Sequence, residues 1–89
     1  MIVKIDKTFV KDSSKITDRH LLSRIADCIE EVQKAESITS IHNLKKLKGG
    51  NKYFRIRIGD YRLGIEITNS VVEFVRCLPR KDIYKYFPK

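Results

Sequence analysis

Arginines around a predicted hairpin are the residues best suited to chemistry in this sequence. Gly59-Asp60 suits a two-residue turn of the II′ type between two alternating segments. With those residues in the loop, Arg57 faces Arg62, and Arg55 faces Gly64. Strand alternation then places the three arginines on one face of a sheet, where their like charges repel. The pattern therefore favours an anionic ligand such as a phosphate.

The arginines could instead belong to an ordinary solvent-exposed polar surface without a ligand. Glu66 and Glu73 should share it and could pair with the arginines, which would make it an ordinary solvated surface. A shift of one residue in strand register would also scatter the set. Gly64 carries no side chain, so the space opposite Arg55 could admit a ligand or another backbone.

A second pair of candidates follows the predicted sheet. Arg80 comes directly after Pro79, and Tyr84 lies four residues later, so both share one side of a helical turn. A tyrosine beside arginines can stack on an exposed base or exchange a proton. Simple packing of the Tyr84 ring is the alternative. Tyr86 and Phe87 are the predicted anchors of this segment in the core.

The first half of the chain must supply the scaffold. Residues 2–5 are predicted as a strand, and Asp6 as the cap of a short helix that ends near residue 14. Thr17 or Asp18 should cap a longer helix that reaches about Ser37. Its apolar residues recur at helical spacing: Leu21, Leu22, Ile25, Ile29 and Val32.

The second half predicts strands. Residues 53–58 and 61–67 alternate, residues 71–77 are rich in Val and Phe, and Pro79 should end the sheet. Residues 81–87 could add one helical turn. The expected fold is α+β, with an N-terminal strand, two helices and a three-stranded antiparallel meander, the helices lying on one face of the sheet.

Composition limits the classes of function. A chain of 89 residues leaves room for one domain, residues 1–89, and its net charge of +8 favours a polyanionic partner, although a merely soluble basic protein is the alternative. Cys28 and Cys77 are too isolated for a disulfide framework and are predicted to be reduced. No signal peptide or membrane span is visible, so we expect a cytoplasmic protein without a membrane partner.

The sequence does not indicate a phosphate-binding loop, a metal site or a catalytic triad. Gly49-Gly50 lacks the spacing of a phosphate-binding loop. His20 and His42 lie far in sequence from each other and from the cysteines, so we expect neither a metal nor another cofactor. Nothing local suggests a Ser/His/Asp triad.

The segment from Leu44 to Tyr84 resembles the RelE/ParE superfamily of bacterial toxins. The resemblance is carried by the basic Leu-Lys-Gly stretch, by Tyr53 through Arg62, and by Pro79 through Tyr84. It covers about half of the chain closely and implies the toxin of a type II toxin–antitoxin system. Its RelE-like branch consists of endonucleases that cleave messenger RNA on the ribosome.

That branch implies roles for particular residues. Arg62 and Arg80 would stabilise the phosphate in the transition state, and Tyr84 would transfer a proton or stack on a base. The implied contacts with RNA come from five basic residues: Arg55, Arg57, Lys46, Lys48 and Lys81. The reaction would be a metal-free attack by the ribose 2′-hydroxyl on its own phosphodiester, stabilised by fixed guanidinium donors.

The resemblance leaves two alternatives and one departure. The ParE-like branch poisons DNA gyrase, and a degenerate member would only bind its antitoxin. Many relatives carry His where this chain has Pro79, which leaves acid–base work to Tyr84 or a lysine. The implied partners are messenger RNA on the ribosome and a small acidic antitoxin, with the toxin monomeric alone and hetero-oligomeric in the complex.

Overall fold

The computed structural model describes residues 1–88. Three helices and five strands, with one 3₁₀ turn at Ile38–Ser40, follow each other in the order β1 (Ile2–Ile5), α1 (Lys7–Ser13), α2 (Arg19–Lys34), β2 (Leu44–Lys46), β3 (Tyr53–Ile58), β4 (Tyr61–Thr68), β5 (Val71–Pro79) and α3 (Arg80–Tyr86). The α+β class is confirmed. Asp6 caps α1 and Asp18 caps α2, while α2 ends at Lys34, three residues before the predicted end.

The sheet is larger than the predicted meander. Its strand order is β1-β5-β4-β3-β2, so β3, β4 and β5 form a meander that is extended on both sides. The first strand pairs parallel to β5, with Ile2 opposite Val71, and β2 pairs antiparallel to β3. The predicted N-terminal strand and the meander are both present, but their joining into one five-stranded sheet was not predicted. The partner of β1 lies far away in sequence, and β2 is too short and basic to show a clear alternation.

One face of the sheet holds the main core. Phe9 of α1 packs edge-on against Phe74 of β5, with 5.5 Å between the ring centroids. Ile25 and Val32 of α2 are buried against the same core. Leu22, one of the apolar residues at helical spacing, is exposed. Burial of these aliphatic and aromatic side chains is the main force that holds the helices on the sheet.

The third helix covers the opposite face, so the prediction of helices on a single face was wrong. Phe87, at the end of α3, lies directly over Gly64, and its ring packs edge-on against Tyr53 at 5.7 Å. Ile83, one turn earlier on the same side of α3, is fully buried. Phe87 is therefore a core anchor as predicted, whereas Tyr86 is 46% exposed and is not.

A carboxylate replaces the missing strand at the edge of β5. β1 ends opposite Phe74, which leaves the next backbone N–H groups of β5 without a strand partner. The Oδ2 atom of Asp12 in α1 accepts from the backbone N–H of Cys77 at 3.0 Å and from Nε of Arg76 at 2.8 Å. The guanidinium of Arg76 in turn lies 5.4 Å from the ring centroid of Tyr86. This chain of contacts joins α1, β5 and α3.

Among residues 1–88, no helix is long and apolar enough to cross a lipid bilayer. Cys28 is partly buried and Cys77 is buried, and both thiols are free, as the sequence predicted.

Candidate functional site

The predicted hairpin register is confirmed. Arg57 lies opposite Arg62, and Arg55 lies opposite Gly64, so the three arginines form one surface that we call the arginine face. The space above Gly64 is not free for a ligand, because Phe87 of the same chain fills it. The open part of the arginine face therefore lies beside α3 and not above Gly64.

Arg62 is the most constrained member of this face. Its side chain is buried, with only 8% of its surface exposed. Its Nη1 atom donates to the carbonyl oxygens of Gly59 at 2.8 Å and of Tyr61 at 3.0 Å. These bonds hold one edge of the guanidinium against the turn and leave its other donors available. Both partners are neutral carbonyls, so the positive charge of Arg62 is not cancelled.

Other site residues lie close enough to act on Arg62. Burial lowers the pKa of the Arg62 guanidinium below its usual value. Three neighbouring positive charges lower this pKa further, those of Arg55, Arg80 and Arg57, whereas the Tyr84 phenol raises it. Arginine stays protonated in proteins, so the consequence is concentrated positive charge rather than a neutral Arg62. The structure thus brings together residues that are far apart in sequence.

The hairpin turn positions both predicted catalytic arginines. Gly59 has a φ of +56°, a left-handed conformation that glycine adopts without strain. Its carbonyl accepts from Arg62, while the next carbonyl, that of Asp60, accepts the backbone N–H of Arg80 at 2.7 Å. Helix α3 therefore begins at the turn that holds Arg62. Tyr84, one turn along α3, is 56% exposed.

A further positioning group was missed by the sequence interpretation. Asn43 has a φ of +61°, and its carbonyl accepts from Nη1 of Arg55 at 2.7 Å and from the backbone N–H of Arg57 at 3.2 Å. The Nε atom of Arg55 is buried without a hydrogen-bond partner within residues 1–88. A buried donor without an acceptor is costly unless a ligand supplies one. Asparagine tolerates a left-handed backbone better than most residues. Its presence at position 43 was the one feature of the sequence that could have indicated a turn beside the arginines.

The three lysines that were predicted to contact RNA lie in different parts of the structure. Lys45, which was not predicted, lies opposite Arg55, whereas Lys46 lies opposite Phe54 and alternates to the other face. Lys48 follows the strand and lines a groove beside Tyr84. Lys81 is exposed, about 100° around α3 from Arg80 and away from buried Ile83.

Carboxylates do not neutralise the site. Within residues 1–88, no Asp or Glu oxygen lies within 4.0 Å of a charged nitrogen of the four site arginines, Arg55, Arg57, Arg62 and Arg80. Glu66 pairs with Lys52 at 3.5 Å instead. In the described part of the chain, no three His, Cys, Asp or Glu side chains gather as metal ligands. Guanidinium groups in this arrangement are suited to bind phosphate oxygens through paired N–H donors.

Known proteins share this architecture. The sequence model of the family described as "ParE toxin of type II toxin-antitoxin system, parDE" matches residues 3–84. Toxin RelE3 of Methanocaldococcus jannaschii is 45% identical over 89 residues, which are 99% of this chain and 100% of the relative.

Two solved structures show the same fold. The RelB-RelE antitoxin-toxin complex from Methanococcus jannaschii is 44% identical, with a TM-score of 0.80 over 96% of this chain and 99% of the other. The archaeal RelE-RelB complex from Pyrococcus horikoshii OT3, at 22% identity, supports the fold alone, with a TM-score of 0.73 over 92% of this chain and 97% of the other. The chain therefore belongs to the ParE toxin family of type II toxin–antitoxin systems, within the RelE/ParE superfamily, as a RelE-like toxin.

Proposed function

We propose that this toxin is an endoribonuclease that cleaves messenger RNA on the ribosome in the cytoplasm. The observation that carries the proposal is the buried Arg62, surrounded by the positive charges of Arg55, Arg57 and Arg80 and next to Tyr84. Such a cluster is unfavourable without a bound anion, and a phosphodiester supplies one.

The proposed reaction is transfer within the RNA strand. The ribose 2′-oxygen loses its proton and forms a bond to the adjacent phosphorus, and the bond from phosphorus to the 5′-oxygen of the next nucleotide breaks. That oxygen takes up a proton, and the products are a 2′,3′-cyclic phosphate and a 5′-hydroxyl. Negative charge grows on the phosphorane oxygens in the transition state, which is where fixed cationic donors accelerate a reaction.

The geometry suggests a division of roles. Arg62 is held by backbone carbonyls, so its free N–H groups are preorganised for the phosphorane oxygens. Arg80 begins α3 beside the same turn and supplies a second cation. Tyr84 exchanges a proton with the reacting oxygens or stacks on a neighbouring base. Arg55, Arg57 and Lys48 contribute phosphate contacts, whereas Lys46, on the other face of β2, and Lys81 add positive charge at longer range.

We also propose that a small acidic antitoxin binds and neutralises this chain. The Methanococcus jannaschii relative was solved as an antitoxin-toxin complex. A chain of net charge +8 with an uncompensated arginine face attracts an acidic partner strongly. The toxin alone is proposed to be a monomer, and the inhibited form a hetero-oligomer.

Expression of the toxin without its antitoxin tests the proposal. Incorporation of labelled amino acids should stop first, and messenger RNA cut within codons should accumulate. Loss of thymidine incorporation while translation continues would instead support poisoning of DNA gyrase. Growth without any defect would leave antitoxin binding as the function. Primer extension on one abundant transcript, with purified ribosomes and toxin, locates the cuts directly.

A further inference from the structure

One side-chain pair joins helix α2 to the loop that precedes β2. Nδ1 of His42 in the loop lies 2.6 Å from Oε1 of Glu31 in α2. We propose that Glu31 and His42 are positioning residues of the arginine face. They hold the next residue, Asn43, whose carbonyl in turn holds Arg55. This inference rests on the proposed function, in which Arg55 contacts a phosphate of the RNA.

Three consecutive residues attach this loop to different parts of the fold. Ile41 is buried in the core, and His42 contacts the carboxylate on α2. Asn43 faces β3, where its carbonyl accepts from the backbone N–H of Arg57 at 3.2 Å and from Nη1 of Arg55 at 2.7 Å. The backbone of the loop therefore determines where the Arg55 guanidinium lies.

The backbone conformation of Asn43 explains why the loop needs a second attachment. Its φ of +61° lies in the left-handed region, which costs free energy for any residue except glycine. A return to the extended region would turn the Asn43 carbonyl away from Arg55. Strand β2, which follows, has three residues at the edge of the sheet and supplies few hydrogen bonds against this change. The contact between Glu31 and His42 opposes it from the other side of the loop.

The contact with Asn43 decides which donors of Arg55 remain for a ligand. Nη1 is occupied by the Asn43 carbonyl, and Nε is buried. Nη2 makes no hydrogen bond within the described part of the chain and is not buried, so it is the group that can meet a phosphate oxygen. Movement of the Asn43 carbonyl would therefore redirect the donors that a phosphate contacts.

The pair between Glu31 and His42 is exposed, and exposed ion pairs usually contribute little to stability. Their side chains are 50% and 83% exposed, so loss of the pair should leave the fold intact. Glu30 and Lys34 form a comparable pair on the same helix, at 3.1 Å and with side chains 66% and 76% exposed. Neither member of that pair hydrogen-bonds to the loop within residues 1–88, so it provides a matched control.

NMR signals of the arginine side chains test the inference in the full-length toxin. The Nε–H proton of Arg55 is buried, so it should exchange slowly with water and give a separate signal. Glu31→Ala and His42→Ala should each shift this signal and speed its exchange about threefold, a change that one exposed pair can produce. The double variant should shift it no further, because the two residues act through one contact. Glu30→Ala should leave both the shift and the exchange rate unchanged.

Binding of a phosphodiester strand shows whether the position of Arg55 matters to the site. The probe is a strand of four thymidine nucleotides, which lacks the 2′-hydroxyl and cannot be cleaved in the proposed way. At low salt, we expect Glu31→Ala to raise its Kd about threefold relative to Glu30→Ala, and His42→Ala to raise it equally relative to the parent. Removal of a carboxylate should by itself tighten binding of an anion, so this weakening cannot come from net charge.

The inference and the proposed function can fail separately. An unchanged Arg55 signal in Glu31→Ala and His42→Ala would overturn the inference, whatever the toxin binds. A shifted signal with an unchanged Kd would also overturn it, because the pair would then serve the loop alone. If the parent toxin neither binds the strand nor cleaves RNA on ribosomes, the proposed function is wrong, and the inference falls with it even if the Arg55 signal shifts.

Discussion

The ring of Phe87 lies so close to Gly64 that a Cβ atom on the glycine would be 2.7 Å from Cδ2 of the ring. Gly64 is opposite Arg55 in the sheet, so Phe87 docks α3 on the same face as the arginines. This contact sets the distance between α3, which carries Arg80 and Tyr84, and the strand that carries Arg62. The absence of a side chain at position 64 is therefore a requirement of the site's geometry.

Gly64→Ala should displace α3 and impair the toxin. The added methyl group must push the Phe87 ring or the backbone aside, and overpacking of this kind costs about 1–3 kcal/mol of stability. Urea unfolding and RNA cleavage measure the two effects. Phe87→Leu removes part of the ring, so Gly64→Ala should cost less in that background. An equal cost in both backgrounds would show that the contact does not limit the position of α3.

Arg80→Ala should remove most of the toxicity with little effect on stability. Arg80 is exposed, and the loss of one transition-state donor typically lowers a rate by roughly 10²–10³-fold. Single-turnover cleavage on ribosomes and a thermal melt give both values. Lys85→Ala makes the same change of charge on the same helix and should leave cleavage intact. Unchanged cleavage by Arg80→Ala would exclude its proposed role.

Arg62→Lys should lose activity even though the positive charge is kept. An ammonium group cannot bond the carbonyls of Gly59 and Tyr61 and still offer two N–H groups in a plane to the phosphate. Lysine is the better test here, because alanine at this buried position would also leave a cavity. Cleavage by Arg62→Lys close to that of the parent would mean that charge alone is sufficient at this position.

Tyr84→Phe separates the two roles proposed for the tyrosine. The ring stays, so base stacking is retained, but the hydroxyl group that could exchange a proton is lost. A fall in kcat with unchanged substrate affinity identifies proton transfer. Full activity would leave stacking as the role of Tyr84. Since Tyr84 is half exposed, neither result should be confused with unfolding, which far-UV circular dichroism can verify.

Asp12→Asn should destabilise the protein by about 3 kcal/mol, because it breaks a buried ion pair and leaves the Arg76 charge uncompensated. The paired side chains are 6% and 17% exposed. The matched control is Asp82→Asn, whose pair with Lys85 at 3.8 Å joins side chains that are 30% and 68% exposed and should contribute less than about 1 kcal/mol. Similar unfolding midpoints for the two variants would contradict the structural role of Asp12.

The two thiols should be unreactive in the folded protein at pH 8. Burial raises the pKa of Cys28 to about 11 and that of Cys77 to about 12, so almost no thiolate is present. Because the folded protein holds these protons more tightly than the unfolded chain, their contribution to stability is complete below pH 9, the usual thiol range, and is lost at higher pH. Iodoacetamide labelling followed by mass spectrometry, with and without denaturant, checks the protection directly.

Local patterns predicted much of the site, and long-range contacts account for what was missed. Alternation through Arg55, Arg57 and Arg62 gave the correct face because register in a two-residue hairpin is set within a few residues. The residues around Gly64 do not predict that α3 packs over it, since a glycine does not specify which side chain covers it. Nothing in the sequence indicated that Lys45 lies on the side of Arg55, because β2 was not recognised as a strand and one step in register exchanges its faces.

The pairing of β1 with β5 determines when the sheet can be completed during synthesis of the chain. Ile2 leaves the ribosome early during synthesis, but its partner Val71 is made only after β4 is complete. Until then β5 is missing from its place beside β4, and α3, which follows β5 in the chain, has not been made. Long-range pairings of this kind also form slowly. The candidate site needs Arg80 and Tyr84 of α3, so it remains incomplete until this last helix has been made.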